Sequence, residues 1–278
     1  MVMGPTHAVS GAAAWLAGAG LTAAIFGHVQ NPVELAVYTA VCAGSALLPD
    51  LDCSGAVMRN RGGATVAHTF GVFSLFLAEC VEKFSLLIYR LTATGHDSKR
   101  TNGHRTLTHT WVFNVLLGLG AGWLCESVGK AAVVGILFFT FGLAVRGLMA
   151  EAARQSGWIL VTLLAAAAAG LAILTLPSGR GYPLLGVAVA AGGVIHTLGD
   201  MITRHGCPVI WPLIWRRQRW WEFGIPDAIA IPVNGWFERV ILLPGLTALA
   251  IFSAAWAVPA LRAAMERVGD YVSTFSST

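Results

Sequence analysis

Residues 158–176 read WILVTLLAAAAAGLAILTL, nineteen residues without a single charge. As a helix at 1.5 Å per residue such a run is about 28 Å long, close to the ~30 Å hydrocarbon core of a bilayer. Lipid offers no partner to backbone N–H and C=O groups, so a run that enters it must pair them internally, as a helix does. The stretch therefore reads as a transmembrane helix.

Working outward, comparable runs occur at 8–27, 33–49, 106–124, 131–149, 183–200 and 240–260, so seven spans are predicted. Small residues are frequent in them, as in LGVAVAAGGVI (185–195), which lets membrane helices approach closely. The 278-residue chain is 56% hydrophobic and only 12% charged. Its mean hydropathy is +0.68. A soluble domain carries about 25% charged residues, and this chain could not cover its surface with what it has. That excludes an ordinary soluble enzyme, a disordered chain and a coiled coil. The fold class expected is all-α: a polytopic helical membrane protein of about seven transmembrane helices plus an interfacial amphipathic helix. Residues 1–278 are read as one integral-membrane domain with a site at one membrane face. The N-terminus lacks a basic segment and a cleavage site, so no signal peptide is expected. Cys42, Cys53, Cys80, Cys125 and Cys207 form no CxxC pair, and no disulfide framework is expected.

The segment 64–92 has a helical pattern but carries His68, Glu79, Glu82 and Lys83. Charges at mid-bilayer cost several kcal/mol, so it is read as a helix lying in the interface, the alternative being an eighth span. Charge parity favours the first reading. With seven spans, one face collects Arg59, Arg61, Lys83, Arg90, Lys99, Arg100, Arg105, Arg154, Arg204, Arg216, Arg217, Arg219 and Arg239. The other collects Lys130, Arg180, Arg262 and Arg267, and Arg146 lies within a span. The basic face is cytoplasmic by the positive-inside rule. The net charge of +4 then belongs beside anionic headgroups, and no direct nucleic-acid binding is expected.

Histidines and aspartates gather on the same face. His7 opens the first span, Asp50 and Asp52 end the second in ALLPDLD, His104 and His109 open the third in GHRTLTHT, and His196 and Asp200 end the sixth in GGVIHTLGD. Each has a bland reading, as an interfacial histidine, a helix cap or a structural i, i+4 pair. Aspartates, however, favour helix N-termini, so two at the end of a span need a reason. Taken together, four imidazoles and three carboxylates are the donor set of a divalent-metal site. Zinc is the first choice, manganese or iron the alternatives, and two or more ions are expected. Arg105 and Arg204 could each clamp an anion, or simply snorkel.

After Asp200 the chain reads DMITRHGCPVIWPLIWRRQRWWEFGIP (200–226), in which Pro208 and Pro212 forbid a long helix. It suits a membrane-surface loop or a lid that admits a lipid. Asn234 and Glu238 are candidate partners that orient metal ligands. His28, His68, His96 and His205 stay outside the ligand set. The loop TATGHDSKRTNG (92–103) looks mobile.

On these residues the chain resembles the YdjM-like inner-membrane proteins described as metal-dependent hydrolases, one member of which is described as LexA-binding. GPTHAVSG, LLPDLD, GHRTLTHT, HTLGDMITRHGCPVIWP and NGWFER occur in family order and cover most of residues 5–240. The resemblance implies metal ligation by His7, Asp50, Asp52, His104, His109, His196 and Asp200. Family members often have histidine after the second aspartate, where this chain has Cys53. Either that position is not a ligand, or a thiolate replaces the imidazole.

The expected function is a membrane-bound metal-dependent hydrolase at the cytoplasmic side of the inner membrane. It would cleave a phosphoester of a lipid-like substrate with a metal-activated water. Asp50, Asp52 or Asp200 would bridge metals or act as base, and Arg105 would steady charge on the phosphate. The alternatives are a metal or proton transporter, or a non-catalytic anchor for a LexA-type repressor.

Overall fold

The structure, a computed structural model, describes residues 3–53, 66–176, 182–258, 261–263 and 267. Arg59, Arg61 and Arg180 of the charge count lie outside them, as do residues 64–65 of the amphipathic segment.

The helices are α1 (Gly4–Phe26), α2 (Pro32–Ser45), α3 (Val72–Thr92), α4 (Trp111–Val128), α5 (Lys130–Leu148), α6 (Ala150–Thr175), α7 (Tyr182–Met201) and α8 (Leu243–Ala257). No strand occurs among the described residues; three isolated bridges lie within or beside the segment after α7. Among the described residues seven helices are long and apolar enough to cross a membrane, and α3 is not one of them.

The second span is the centre of the bundle. It packs against α1, α5 and α7 and is the most buried of the seven. Asn31 and Glu34 start α2 with a reciprocal capping box, and Pro32 sits in its first turn, where its missing N–H costs nothing. Its neighbours come close because the contacts lack side chains. A Cβ built on Gly44 would lie 1.9 Å from the Thr140 carbonyl oxygen, and one on Gly192 would lie 2.5 Å from the Cys42 oxygen. The helical part of α2 ends at Ser45, and a 3-10 turn, Pro49–Asp52, follows. This turn carries both aspartates into the protein interior.

The third span begins later than the sequence reading placed it. α4 starts at Trp111, with the Thr110 hydroxyl accepting from the Phe113 amide. Residues 104–109 form a separate turn instead. Arg105 has φ +57°, incompatible with a right-handed helix, and its backbone amide is tied to Asp52.

α3 also starts late. Gly71 adopts φ +60°, and His68 lies in the turns before the helix, not on it. A Cβ on Gly71 would meet the Trp158 ring at 2.9 Å, near the start of the apolar part of α6. At the other end Tyr89 packs on Trp220, ring centroids 5.1 Å apart. Both ends of the helix thus contact the same end of the bundle, so α3 runs along that end. Its exposed Phe73, Phe76, Phe84, Leu87 and Leu91 share one face at spacings of three, eight, three and four. Ser74, Ala78, Ser85 and Tyr89 form the protein-facing side, and the Glu79–Lys83 ion pair sits on an exposed flank.

The loop expected to be mobile is docked. Asp97 accepts from the amides of Thr94 (2.6 Å) and Trp220 (2.9 Å), and Gln218 donates to the His96 carbonyl (2.8 Å). Arg100 pairs with Glu222. Burial pushes the Asp97 carboxyl up, but hydrogen bonds from Thr94, Trp220 and Arg219 outweigh it and hold the group below the ordinary aspartate range. Sequence polarity suggested a mobile loop; its polar groups are in fact engaged with one another and with residues 217–222.

Candidate metal centre

All seven residues expected to bind metal meet beneath this cover. His7, His109, His196, Asp52 and Asp200 are fully buried, Asp50 is 5% exposed, and the His104 side chain is 18% exposed. They come from the first turns of α1, the turn after α2, the 104–109 turn and the last turns of α7.

Four donor atoms form the centre. Nε2 of His109 and Nε2 of His196 are 3.2 Å apart. Oδ1 of Asp50 lies 3.9 Å from the first and 3.7 Å from the second. Oδ2 of Asp200 lies 3.6 and 3.8 Å from them. Ligands on one tetrahedral zinc, with metal–donor distances near 2.0–2.1 Å, stand about 3.3–3.4 Å apart. The imidazole–carboxylate separations are thus slightly wider than a loaded tetrahedral site requires, and the imidazole–imidazole one slightly shorter.

Tautomers follow from the partners. Nδ1 of His196 is 2.8 Å from the Ala46 carbonyl, which can only accept, so this nitrogen carries the proton. Thr108 Oγ1 donates to Asp52 Oδ2 at 2.6 Å, which leaves it to accept from Nδ1 of His109 at 3.0 Å. Both Nε2 atoms then present lone pairs to each other. Such a pair requires an electrophile between them, a proton or a cation. The Oδ1 atom of Asp50 and both ring nitrogens of His7 are buried without a hydrogen-bond partner. Natural structures rarely leave such atoms unmatched, and the set fits a cation.

Asp52 performs a different task from Asp50. Its Oδ1 sits 2.7 Å from Nδ1 of His104, and its Oδ2 takes the Arg105 amide, the Thr108 hydroxyl and the approach of His109 Nδ1 at 3.3 Å. A carboxylate on the far nitrogen of a ligating histidine fixes the ring and raises its basicity. For His104, burial disfavours the charged ring, but the Asp52 carboxylate outweighs it and the pKa is raised. Burial and then the neighbouring carboxylates push the Cys53 thiol well above its ordinary range.

His7 stacks on His196 with ring centroids 3.8 Å apart, and its Nε2 is 3.4 Å from Asp200 Oδ1. Arg105 is at the site, but it faces Asp200 Oδ2 (2.8 Å), the Gly206 carbonyl (3.1 Å) and Thr203 (3.3 Å). Its guanidinium is engaged with protein groups and neutralises Asp200.

Asn234 and Glu238 hydrogen-bond to each other, to Met3 and to Arg239 and not to the expected ligands. Glu238 is fully buried, takes the Met3 amide at the start of α1 with Oε1, and takes the Asn234 amide with Oε2. It caps α1, the helix that carries His7, from the last span. Asn234 instead accepts from Arg239. Thr108, Thr203 and the Ala46 carbonyl are contributors that the sequence reading missed; threonines and backbone carbonyls are too common to stand out.

Residues 202–231 cover the site without helix. Cys207 and Phe223 exchange backbone hydrogen bonds, Ile225 donates to the Met201 carbonyl, and Trp111 donates to the Val209 carbonyl. Trp211 stacks on Trp220 beside Tyr89 and Leu107.

No curated protein and no solved structure matches the chain. A family model described as YdjM inner membrane protein does match, over residues 1–153, which include His7, Asp50, Asp52, His104 and His109 but not His196 or Asp200. That is more than half of the chain, and the protein belongs to the YdjM inner membrane protein family.

Proposed function

We propose that this multi-pass protein is a metal-dependent hydrolase that acts on a phosphoester of a lipid-like substrate at the cytoplasmic surface of the inner membrane. The observation that carries the reading is the buried cluster of His109, His196, Asp50 and Asp200, in which the two Nε2 atoms lie 3.2 Å apart and each lies 3.6–3.9 Å from a carboxylate oxygen of Asp50 and of Asp200. A cation bound there would supply Lewis acidity toward a phosphoryl oxygen and make water acidic enough to attack near neutral pH.

The chain's own residues divide the work. His109, His196, Asp50 and Asp200 would hold the cation; two imidazoles and two carboxylates suit zinc. Asp52 orients His104 and His109 through their Nδ1 atoms. Arg105 is a positioning residue that holds Asp200 against the ligand set. Residues 202–231 and the docked 93–103 loop exclude water from the centre. The exposed Leu213, Ile214 and Trp215, next to Arg216 and Arg217, suit contact with an anionic lipid surface. The basic bias of this face supports a cytoplasmic position for the site. The ligand-type side chains form one compact group and not a series through the bilayer, which favours hydrolysis over transport.

The test is elemental analysis of protein purified in detergent, followed by a panel of phospholipid and polyprenyl-phosphate substrates. Near-stoichiometric metal in the wild type and its loss in the His104→Ala/His109→Ala variant are expected. Metal content unchanged by that double substitution would overturn the site assignment.

A further inference from the structure

Next to the four-donor centre lies a second group, of which only Cys53 has no part in the reading above. Cys53 is buried, and its Sγ is 3.1 Å from Nδ1 and 3.7 Å from Nε2 of His104. One donor atom from each of Asp50, Asp52, Cys53 and His104 lies within 4.8 Å of all the others. Sulfur and nitrogen ligands at about 2.3 and 2.0–2.1 Å on one tetrahedral zinc stand about 3.6 Å apart. Asp50 also belongs to the group formed with His109 and His196, and its buried Oδ1 lacks a hydrogen-bond partner. A carboxylate has two oxygens and can hold a cation on each.

We propose that Cys53 and Nε2 of His104 form a second cation locus beside the His109–His196–Asp200 one, with Asp50 shared between them, Asp52 holding His104 through Nδ1 and Cys53 bound as a thiolate. The proposal rests on the metal-dependent reading above and adds to it a second ion with a thiolate ligand. On binding, the S–H bond breaks, its proton leaves to solvent, and the sulfur electron pair forms the bond to the metal; nothing is oxidised or reduced. One thiolate and one imidazole beside carboxylates suit zinc. They disfavour magnesium and calcium, which take oxygen ligands.

The test uses the full chain in detergent, stripped of metal and reloaded with zinc or with cobalt(II). Cobalt(II)–thiolate bonds give a near-ultraviolet charge-transfer absorption that imidazole and carboxylate ligands do not. The expected results are two ions per chain, a charge-transfer band, and a sulfur neighbour at about 2.3 Å in zinc-edge X-ray absorption. Cys53→Ser should keep one ion and lose the band, while Cys207→Ser keeps both ions and the band. Bound metal with no sulfur neighbour in the wild type would overturn the second locus and leave the first standing. So would a Cys53→Ser protein with unchanged stoichiometry and spectrum, or a band that disappears with Cys207. The wild-type absorption measurements decide the matter even if the Cys53 variant fails to fold. A wild type that takes up no metal at all would remove the underlying hydrolase reading as well.

Discussion

The protonation pattern of the centre is written in three ordinary contacts. The Ala46 carbonyl fixes the proton of His196 on Nδ1, and Thr108, by donating to Asp52, fixes that of His109 on Nδ1. Thr108 touches no presumed cation, so its effect should be indirect. Thr108→Val should keep the fold yet weaken metal affinity by about 10–100-fold, the usual cost of losing a group that orients a ligating histidine. Metal competition with a chromophoric chelator would measure it, and unchanged affinity would deny Thr108 that role. That His7, Asp50, Asp52, His104, His109, His196 and Asp200 come together was legible from sequence because ionisable residues are scarce in this chain and costly inside spans. Glu238 was legible as important but not in its role. Its partner is the Met3 amide, and backbone groups leave no mark in a sequence.

At the scale of elements, close approach decides what the bundle tolerates. Gly44 faces the Thr140 carbonyl with no room for a methyl group, whereas a Cβ on Gly18 would meet nothing within 4 Å. Gly44→Ala should force α2 and α5 apart, cost about 1–3 kcal/mol or more, and displace Asp50 and Asp52 with the end of α2. Gly18→Ala should leave the melting temperature in detergent nearly unchanged. The docked loop makes a separate prediction. A carboxyl whose folded pKa is lowered contributes stability that is complete above its unfolded value, about 4, and lost as the pH falls through the folded value. Asp97 should therefore release the 93–103 loop from residues 217–220 only at acid pH. Asp97→Asn should release it at neutral pH, seen as faster hydrogen exchange in both segments; equal exchange in variant and wild type would contradict this. Spans were readable to within a few residues because apolar length is a strong signal. The starts of α3 and α4 were not, since they depend on Gly71 and Arg105 at positive φ and on the pull of Asp52, all consequences of tertiary contact.

For the whole molecule, seven apolar helices carry a site at one end, and α3 with residues 202–231 closes over it. If α3 rests in the interface, spin labels at Phe76 and Leu87 should lie at acyl-chain depth and one at Lys83 in the headgroup region, in protein reconstituted into bilayers. Equal aqueous accessibility at all three positions would contradict that placement. The folding of four separate segments onto one centre was legible only as a shared level, not as distances. The central claim is that His109, His196, Asp50 and Asp200 hold a divalent cation. Anomalous diffraction at the zinc edge from crystals of the metal-loaded protein tests it most directly. The account predicts a peak among these four side chains, about 2.0–2.2 Å from both Nε2 atoms. A well-phased map with no peak there, or with its only peak elsewhere, would contradict it.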